Sequence, residues 1–333
     1  MSEDFGEPPC TLFHAPQFHI DALFWLGPTT SIHEHGFSGA FTLLEGESLQ
    51  AVYDFDEQRR LSGLVGLGEL ELRSLTMVRR GEVQPIAAGS SFIHSVFHLG
   101  APTVTLVVRT TDDPRVARQR DFLPPGIAYD LRSLGYERRR QHQLVMMQLR
   151  ASPEAGAVTA ESLWGRSNFT QRLGLALALV EGGHDEVLDD LLGDGADLAL
   201  HDASASYRRH RYIEGRAQRV SHADHRLLLA LLSTLEDRSA VIDWLRVQRP
   251  ERPPLQLVER WLRQMSAEGT LGIRLDDGNL ELCIRMLHGA QPEQILAERA
   301  REYGSEWSPE KSAMVRRNCQ ILRESPVWGA LVR

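Results

Sequence analysis

The chain has 333 residues, of which 42% are hydrophobic and 25% charged, and its formal net charge is −8. This length predicts two domains, and the composition is that of a globular protein with apolar material for a core in each half. The negative charge argues against broad binding to nucleic acid or to an anionic membrane. No uninterrupted apolar run predicts a membrane span, and the acidic first ten residues do not predict a secretory signal.

Strand patterns come first along the chain. Short apolar segments separated by Gly, Pro and Asp occupy residues 18–110 and predict an all-β barrel or sandwich. The clearest predicted strands are residues 18–25, 39–44, 48–53, 70–73 and 103–109. Residues 110–127, by contrast, are polar and contain Pro124-Pro125, which is typical of a linker.

The second half has a helical pattern, with apolar residues recurring at intervals of three and four. The predicted helices lie near residues 131–149, 169–181, 185–193, 222–235, 238–248, 254–267, 292–303 and 309–324. Ser221 and Ser308 are predicted N-caps, and Pro254 occupies a first-turn position. Residues 254–283 combine a helix with the apolar run 271–275, which leaves open a winged-helix-like unit or a plain helical bundle.

These patterns together predict a two-domain α+β protein. We expect a β-barrel over residues 1–115, a linker over 116–130 and an all-α domain over 131–333. The three cysteines, at positions 10, 283 and 319, form no CxxC pair and predict no disulfide framework, so a reducing cytoplasmic location is expected. Metal chemistry, if present, then depends on histidine and carboxylate side chains.

Two histidines two positions apart, His33 and His35, mark the chemically informative segment. Alternate residues of a strand point to the same face, so both imidazoles can reach one ion at about 2.0–2.2 Å. The third ligand is expected to be His94, which follows a turn marked by Pro85 and Gly89. Three neutral imidazoles leave coordination positions open, which suits iron(II) with O₂ and a substrate; Mn, Ni and Zn are alternatives.

This segment resembles the first signature motif of the cupin superfamily, G-x5-H-x-H-x3/4-E-x6-G, through Gly27, His33, His35 and Gly46. Gly39 stands where that motif has its glutamate ligand. Bacterial cysteine dioxygenase-like cupins lack the same carboxylate, and the resemblance to them covers residues 18–110. Further matches to their pattern are Trp25, His33-Glu34-His35, Leu43-Leu44 and Glu47. The resemblance implies a double-stranded β-helix barrel with a three-histidine metal site.

The second cupin motif is matched less closely. Gly89 lies five residues before His94 instead of three, and His98 occupies the place of the motif's asparagine. The role of His98 stays open among a fourth metal ligand, a donor that orients a substrate, and polar filler. The Ser-His-Tyr relay usual in the thiol dioxygenases has no counterpart on the strand 103–109, which contains neither His nor Tyr.

The resemblance also implies an arginine that binds the substrate carboxylate. The candidates are Arg59, Arg60, Arg79 and Arg109. Arg109 points inward if residues 103, 105, 107 and 109 line the lumen of the barrel. We assign catalytic roles to His98 and Arg109, and substrate-binding roles to Arg60 and Phe41.

Three functions follow as hypotheses. The first is a mononuclear non-haem iron(II) oxygenase or dioxygenase that takes O₂ and a small thiol, amino acid or carboxylate, with a homodimer left open. The second is a metal- or ligand-binding cupin without turnover, whose helical domain binds a protein partner; the missing relay motivates it. The third is a regulatory sensor that touches DNA, against which the net charge of −8 and the absence of a basic stripe both argue.

Overall fold

The computed structural model describes residues 9–111, 118–193, 197–271, 277–304 and 307–332. The chain forms two compact units, Met1–Arg211 and Tyr212–Arg333. All described strands lie in the first unit, whereas the described part of the second unit is helical. The α+β character predicted from the two sequence patterns is therefore confirmed.

The strands of the first unit form two antiparallel layers. They are β1 (Cys10–His14), β2 (Phe18–Trp25), β3 (Ile32–His35), β4 (Gly39–Glu45), β5 (Ser48–Arg60), β6 (Val65–Val78), β7 (Val83–Ile86), β8 (Gly89–His98), β9 (Thr103–Thr110), β10 (Asp121–Leu123) and β11 (Ile127–Tyr129). One sheet has the order β1-β2-β9-β4-β7, and β10-β11-β6-β5-β8-β3 close into a barrel. All five strands predicted most clearly are present.

The segment 116–130, predicted as a linker, instead contains β10 and β11. These strands pair with each other, and each also pairs with a barrel strand: β10 with β3 and β11 with β6. Pro124-Pro125 forms part of the turn between them, while Phe122 and Ile127 are buried. Each strand is only three residues long, which is too short to show an alternating pattern within a segment of polar composition. Residues 112–117 of the predicted linker lie outside the described residues.

The first unit contains the helices α1 (Tyr136–Ala151), α2 (Pro153–Gly165), α3 (Phe169–Gly182) and α4 (Asp185–Leu192), and the first part of α5 (Leu198–Ala217). Their apolar faces share one core with the barrel, in which Val65 and Ile127 join Leu149, Leu173 and Leu188. Because of this common core, the boundary between the two units falls inside α5, whereas the sequence predicts a linker over residues 116–130.

The helices of the second unit are α6 (Ala223–Thr234), α7 (Arg238–Gln248), α8 (Pro254–Ala267), α9 (Asp277–Leu287), α10 (Pro292–Tyr303), α11 (Pro309–Glu324) and α12 (Gly329–Val332). The Ser308 cap is confirmed, but the cap of α6 is His222 and not Ser221. Residues 272–276, which a winged-helix-like unit would use, lie outside the described residues. Among the described helices, none is long and apolar enough to cross a membrane.

Candidate metal centre

The three predicted metal ligands lie together inside the barrel. Strand β3 pairs with β8 so that His33 stands opposite His94, and the next residue on the same face, His35, stands opposite Gly89. The three side chains are 3–5% exposed, and one ring nitrogen from each lies within 4.8 Å of the others. The three imidazoles therefore converge as predicted, although the pairing of β3 with β8 is irregular between His33 and His35.

The closest pair of nitrogens is His35 Nε2 and His94 Nε2, which are 3.0 Å apart. Two nitrogens about 2.1 Å from one ion lie about 3.0 Å apart at a right angle, and about 3.4 Å apart in a tetrahedron. The observed distance fits adjacent positions of a six-coordinate ion. It also fits an N–H···N hydrogen bond between the two rings when no ion is bound.

Hydrogen bonds behind the ligands orient two of the rings. The Nδ1 of His33 lies 2.9 Å from the carbonyl oxygen of Ser31, to which it donates, so Nε2 is the deprotonated nitrogen of that ring. The Nδ1 of His94 lies 3.4 Å from Nε2 of Gln50, a side chain that is 2% exposed. Gln50 was not among the predicted site residues; the signal in the sequence was a polar residue within the apolar strand 48–53.

Burial keeps the cluster neutral. It lowers the pKa of His33 and takes that of His94 well below the ordinary value. Burial, together with the neighbouring His33 and Arg109, also lowers the pKa of His35 to about 2. Metal ligation requires deprotonated imidazole nitrogens, so the three rings hold the state that an ion needs.

Glu34 lies between the two β3 histidines but takes no part in the cluster. Its carboxylate is 2% exposed and accepts two hydrogen bonds from Arg120, at 2.7 and 3.2 Å. Arg120 also donates to Glu57 at 2.8 Å, which ties β3 to β5. Successive strand residues point to opposite faces, so this ion pair anchors the back of the strand that presents the histidines. Neither Glu34 nor Arg120 was among the predicted site residues.

Phenylalanine rings surround the cluster on one side. Phe37 lies 4.6 Å from the His35 ring and Phe92 lies 4.4 Å from the His94 ring, measured between ring centroids. The Phe41 ring is 6.2 Å from that of His94 and is buried in the same apolar cluster as Phe37. The structure thus places Phe41 beside the histidines, and its substrate-binding role stays a prediction.

Arg109 lies near the cluster at the end of β9. Thr105 and Val107 are buried, as the predicted inward parity of this strand requires. The Arg109 side chain is 36% exposed, and its Nε donates to the buried carboxylate of Asp21 at 3.2 Å. Its guanidinium carbon is 5.0 Å from the centroid of Phe37, the ring that contacts His35. Arg109 is therefore separated from the histidines by one aromatic ring.

His98 is not brought into the cluster. It lies four residues beyond His94 on β8, a separation of about 13 Å along a strand. Its ring stacks on Trp25 with 4.8 Å between centroids, and its Nδ1 lies 2.9 Å from the Ser48 hydroxyl oxygen. His98 is thus outside the group of three histidines, which gives no support to the fourth-ligand alternative, and its catalytic role stays a prediction.

Arg60 also lies elsewhere. It stands eight residues along β5 from Val52, the residue paired with His94, which is on the order of 25 Å away. Its side chain is 58% exposed and forms two hydrogen bonds with Glu57, at 2.6 and 2.7 Å. The hydrogen bond from Arg60 is the main cause that lowers the pKa of Glu57 below its ordinary value. Arg60 thus belongs to the ion-pair network at the strand end and not to the histidine cluster, and its substrate-binding role stays an untested prediction.

The missing carboxylate ligand has a structural reason. A Cβ atom on Gly39 would lie 2.1 Å from the Val108 carbonyl oxygen and 2.9 Å from the Arg109 Cα. These distances are much shorter than van der Waals contact distances. No side chain therefore fits at position 39, where β4 pairs with β9. A glutamate at this position would require the two strands to separate.

Comparison with protein-family models finds no match, and no curated protein matches the chain. Solved structures that align with part of it include a cupin-2 domain protein from Shewanella frigidimarina, with 12% identity, 32% of this chain and 82% of that chain covered, and a TM-score of 0.23. Hydroquinone 1,2-dioxygenase from a Sphingomonas species, with 4-hydroxybenzoate bound, has 12% identity, coverage of 32% and 68%, and a TM-score of 0.26. Oxalate decarboxylase from Lactobacillus farciminis has 15% identity, coverage of 30% and 25%, and a TM-score of 0.22. Values this low do not assign the chain to a family.

Proposed function

We propose that the barrel is a cupin-type domain that binds one divalent metal ion through His33, His35 and His94. We further propose that it serves a mononuclear non-haem iron(II) oxygenase or dioxygenase acting on a small thiol, amino acid or carboxylate. The observation that supports this most strongly is the convergence of three buried, neutral imidazoles, with nitrogens within 4.8 Å of one another.

The donor set favours this chemistry. Three neutral imidazoles leave the full +2 charge of the ion uncompensated, which favours anionic ligands such as thiolate or carboxylate. When bound, iron(II) would supply electrons to O₂. Imidazole nitrogens also bind Mn, Ni and Zn, so the three histidines alone do not determine which ion is bound.

The chain's own residues would bind and shield the substrate. Arg109 places a cation near the cluster, and Asp21 and Phe37 hold its side chain in place. An anionic group placed against the partly exposed guanidinium would lie next to the metal site. The three phenylalanine rings would exclude water from the histidines, which are 3–5% exposed.

A second candidate is a metal-binding barrel without turnover, whose helical part binds a protein partner. The same low exposure favours it, since a closed site suits a structural ion. In addition, β9 contains neither His nor Tyr, so the usual relay of thiol dioxygenases has no counterpart on this strand.

The two candidates are separated by loading the full chain with iron(II) under anaerobic conditions and following O₂ consumption with thiols, amino acids and carboxylates. The oxygenase proposal predicts consumption with at least one substrate, a strong decrease in Arg109→Leu, and none in His94→Ala. Wild-type protein that holds iron but consumes no O₂ with any of these compounds would select the second candidate.

A further inference from the structure

A buried amide lies behind one of the three histidines. Gln50 on β5 is 2% exposed, and its Nε2 lies 3.4 Å from Nδ1 of His94. Its Oε1 is buried as well and has no hydrogen-bond partner among the described residues. An unsatisfied acceptor in such a place needs an explanation, because buried polar groups are almost always hydrogen-bonded.

The two ends of the amide can exchange places. The oxygen and nitrogen of a glutamine are similar in size, and their assignment follows from the hydrogen bonds available. A half-turn of the Gln50 amide brings Oε1 to the position now held by Nε2, next to His94 Nδ1. The buried oxygen then gains a donor, provided that His94 carries its proton on Nδ1.

That tautomer is also the one that an ion requires. An imidazole binds metal through a deprotonated nitrogen, and Nε2 is the His94 nitrogen that faces the cluster, 3.0 Å from Nε2 of His35. An amide N–H directed at Nδ1 would instead leave the proton on Nε2, where it would exclude the ion. A single orientation of Gln50 therefore satisfies its own oxygen and prepares His94 for ligation.

We propose that Gln50 is a positioning residue for the metal site: its Oε1 accepts the Nδ1–H of His94 and holds Nε2 deprotonated toward the ion. This inference rests on the proposed metal-binding function. His33 obtains the same support from the backbone carbonyl of Ser31, which no substitution of a side chain removes. The buried Nδ1 of His35 has no partner among the described residues. Gln50 is thus a side chain through which the orientation of one ligand can be altered.

The test uses the full chain with Zn²⁺ as a diamagnetic probe. We expect Gln50→Leu to weaken Zn²⁺ binding by about 10- to 100-fold in a competition titration, the range found when partners behind metal ligands are removed. Gln50→Glu keeps the acceptor and cannot donate, so its affinity should equal or exceed that of the wild type. Gln58→Leu, which removes an exposed amide on the same strand, should leave the affinity unchanged.

A second readout follows the tautomer directly. Histidine ¹⁵N chemical shifts, assigned with a His94→Gln variant, should show a protonated Nδ1 on His94 in the metal-free wild type and in Gln50→Glu, and loss of that preference in Gln50→Leu. An unprotonated Nδ1 in the wild type, or Zn²⁺ affinity of Gln50→Leu within twofold of wild type, would overturn the proposal. Absence of Zn²⁺ binding in the wild type would instead refute the metal-binding function, while the shifts of the metal-free protein still test Gln50.

Discussion

The ion pair behind β3 offers a sharp test of how the histidines are held in place. In Arg120→Met, the Glu34 carboxylate keeps its buried position, 2% exposed, and loses both of its charge-assisted hydrogen bonds, of 2.7 and 3.2 Å. Removing one partner of a buried ion pair costs about 3–5 kcal/mol, because the remaining charge is left without compensation. Because the Arg120 side chain is itself 18% exposed, we expect the free energy of unfolding to fall by about 3 kcal/mol, the lower end of this range.

Two further variants isolate the cause. The double variant Glu34→Gln/Arg120→Met also removes the uncompensated carboxylate charge of Glu34. It should therefore be more stable than Arg120→Met alone by about 2 kcal/mol. Arg73→Met is the matched control, since Arg73 pairs with Asp54 at 3.1 Å on the same barrel but both side chains are more than half exposed. Its expected effect is below about 1 kcal/mol.

Urea unfolding followed by tryptophan fluorescence measures all four proteins, with stability taken from the midpoint and slope. The metal-free protein should be used, so that bound ion does not add its own stabilisation. Equal losses in Arg120→Met and Arg73→Met would refute the reasoning, as would a double variant less stable than Arg120→Met alone.

Three further outcomes are expected. Phe41→Ala should destabilise the protein by about 3–5 kcal/mol, because the ring is 7% exposed beside the cluster, whereas Phe24→Ala, at a 41% exposed position, should cost much less in the same unfolding assay. Gly39→Ala should give insoluble or strongly destabilised protein by expression and thermal melting, whereas Gly63→Ala, with open space around its Cβ, should not. The metal-free protein should lose stability as the pH falls below about 6.5, by up to about 4 kcal/mol per pH unit for three histidines. The sign follows from the lowered pKa values, because the unfolded chain binds more protons in that range; denaturation at pH 7.5 and 5.5 checks it, and equal stabilities would contradict it.

Much of the fold was predictable because its elements carry strong local signals. The alternation of residues 18–25 and 103–109 marks β2 and β9, which pair along their whole length. Helices α3, α7, α8, α10 and α11 begin and end within a residue or two of their predicted bounds. Capping residues and first-turn prolines account for that accuracy.

The missed elements lack such signals. Helix α2 is rich in small residues and α5 in arginine and histidine, so neither shows a clear apolar stripe. Helix α9 begins in Asp277-Gly278, which reads as a turn. The short strands β10 and β11 are stabilised by pairing with β3 and β6. These partners are distant in sequence, so the residues of the short strands themselves do not indicate the pairing.

The candidate site divides in the same way. The convergence of His33, His35 and His94 follows from strand alternation, and it could be predicted. The positions of Arg60 and His98 could not be predicted. The sequence pattern shows which residues share a face of a strand, but it does not show how far along the strand each one lies from the histidines. The proposed role of Gln50 could be inferred only from the structure, where its buried Oε1 atom has no hydrogen-bond partner among the described residues.

The most direct test of the metal site is the metal content of the full chain, measured by mass spectrometry after loading with iron(II) and removal of excess ion. We predict about one ion per chain in the wild type and in His201→Ala, whose side chain is 61% exposed, and nearly none in His33→Ala, His35→Ala and His94→Ala. Wild-type protein without bound metal, or single variants of the cluster that retain the wild-type content, would contradict the assignment of these three histidines as ligands.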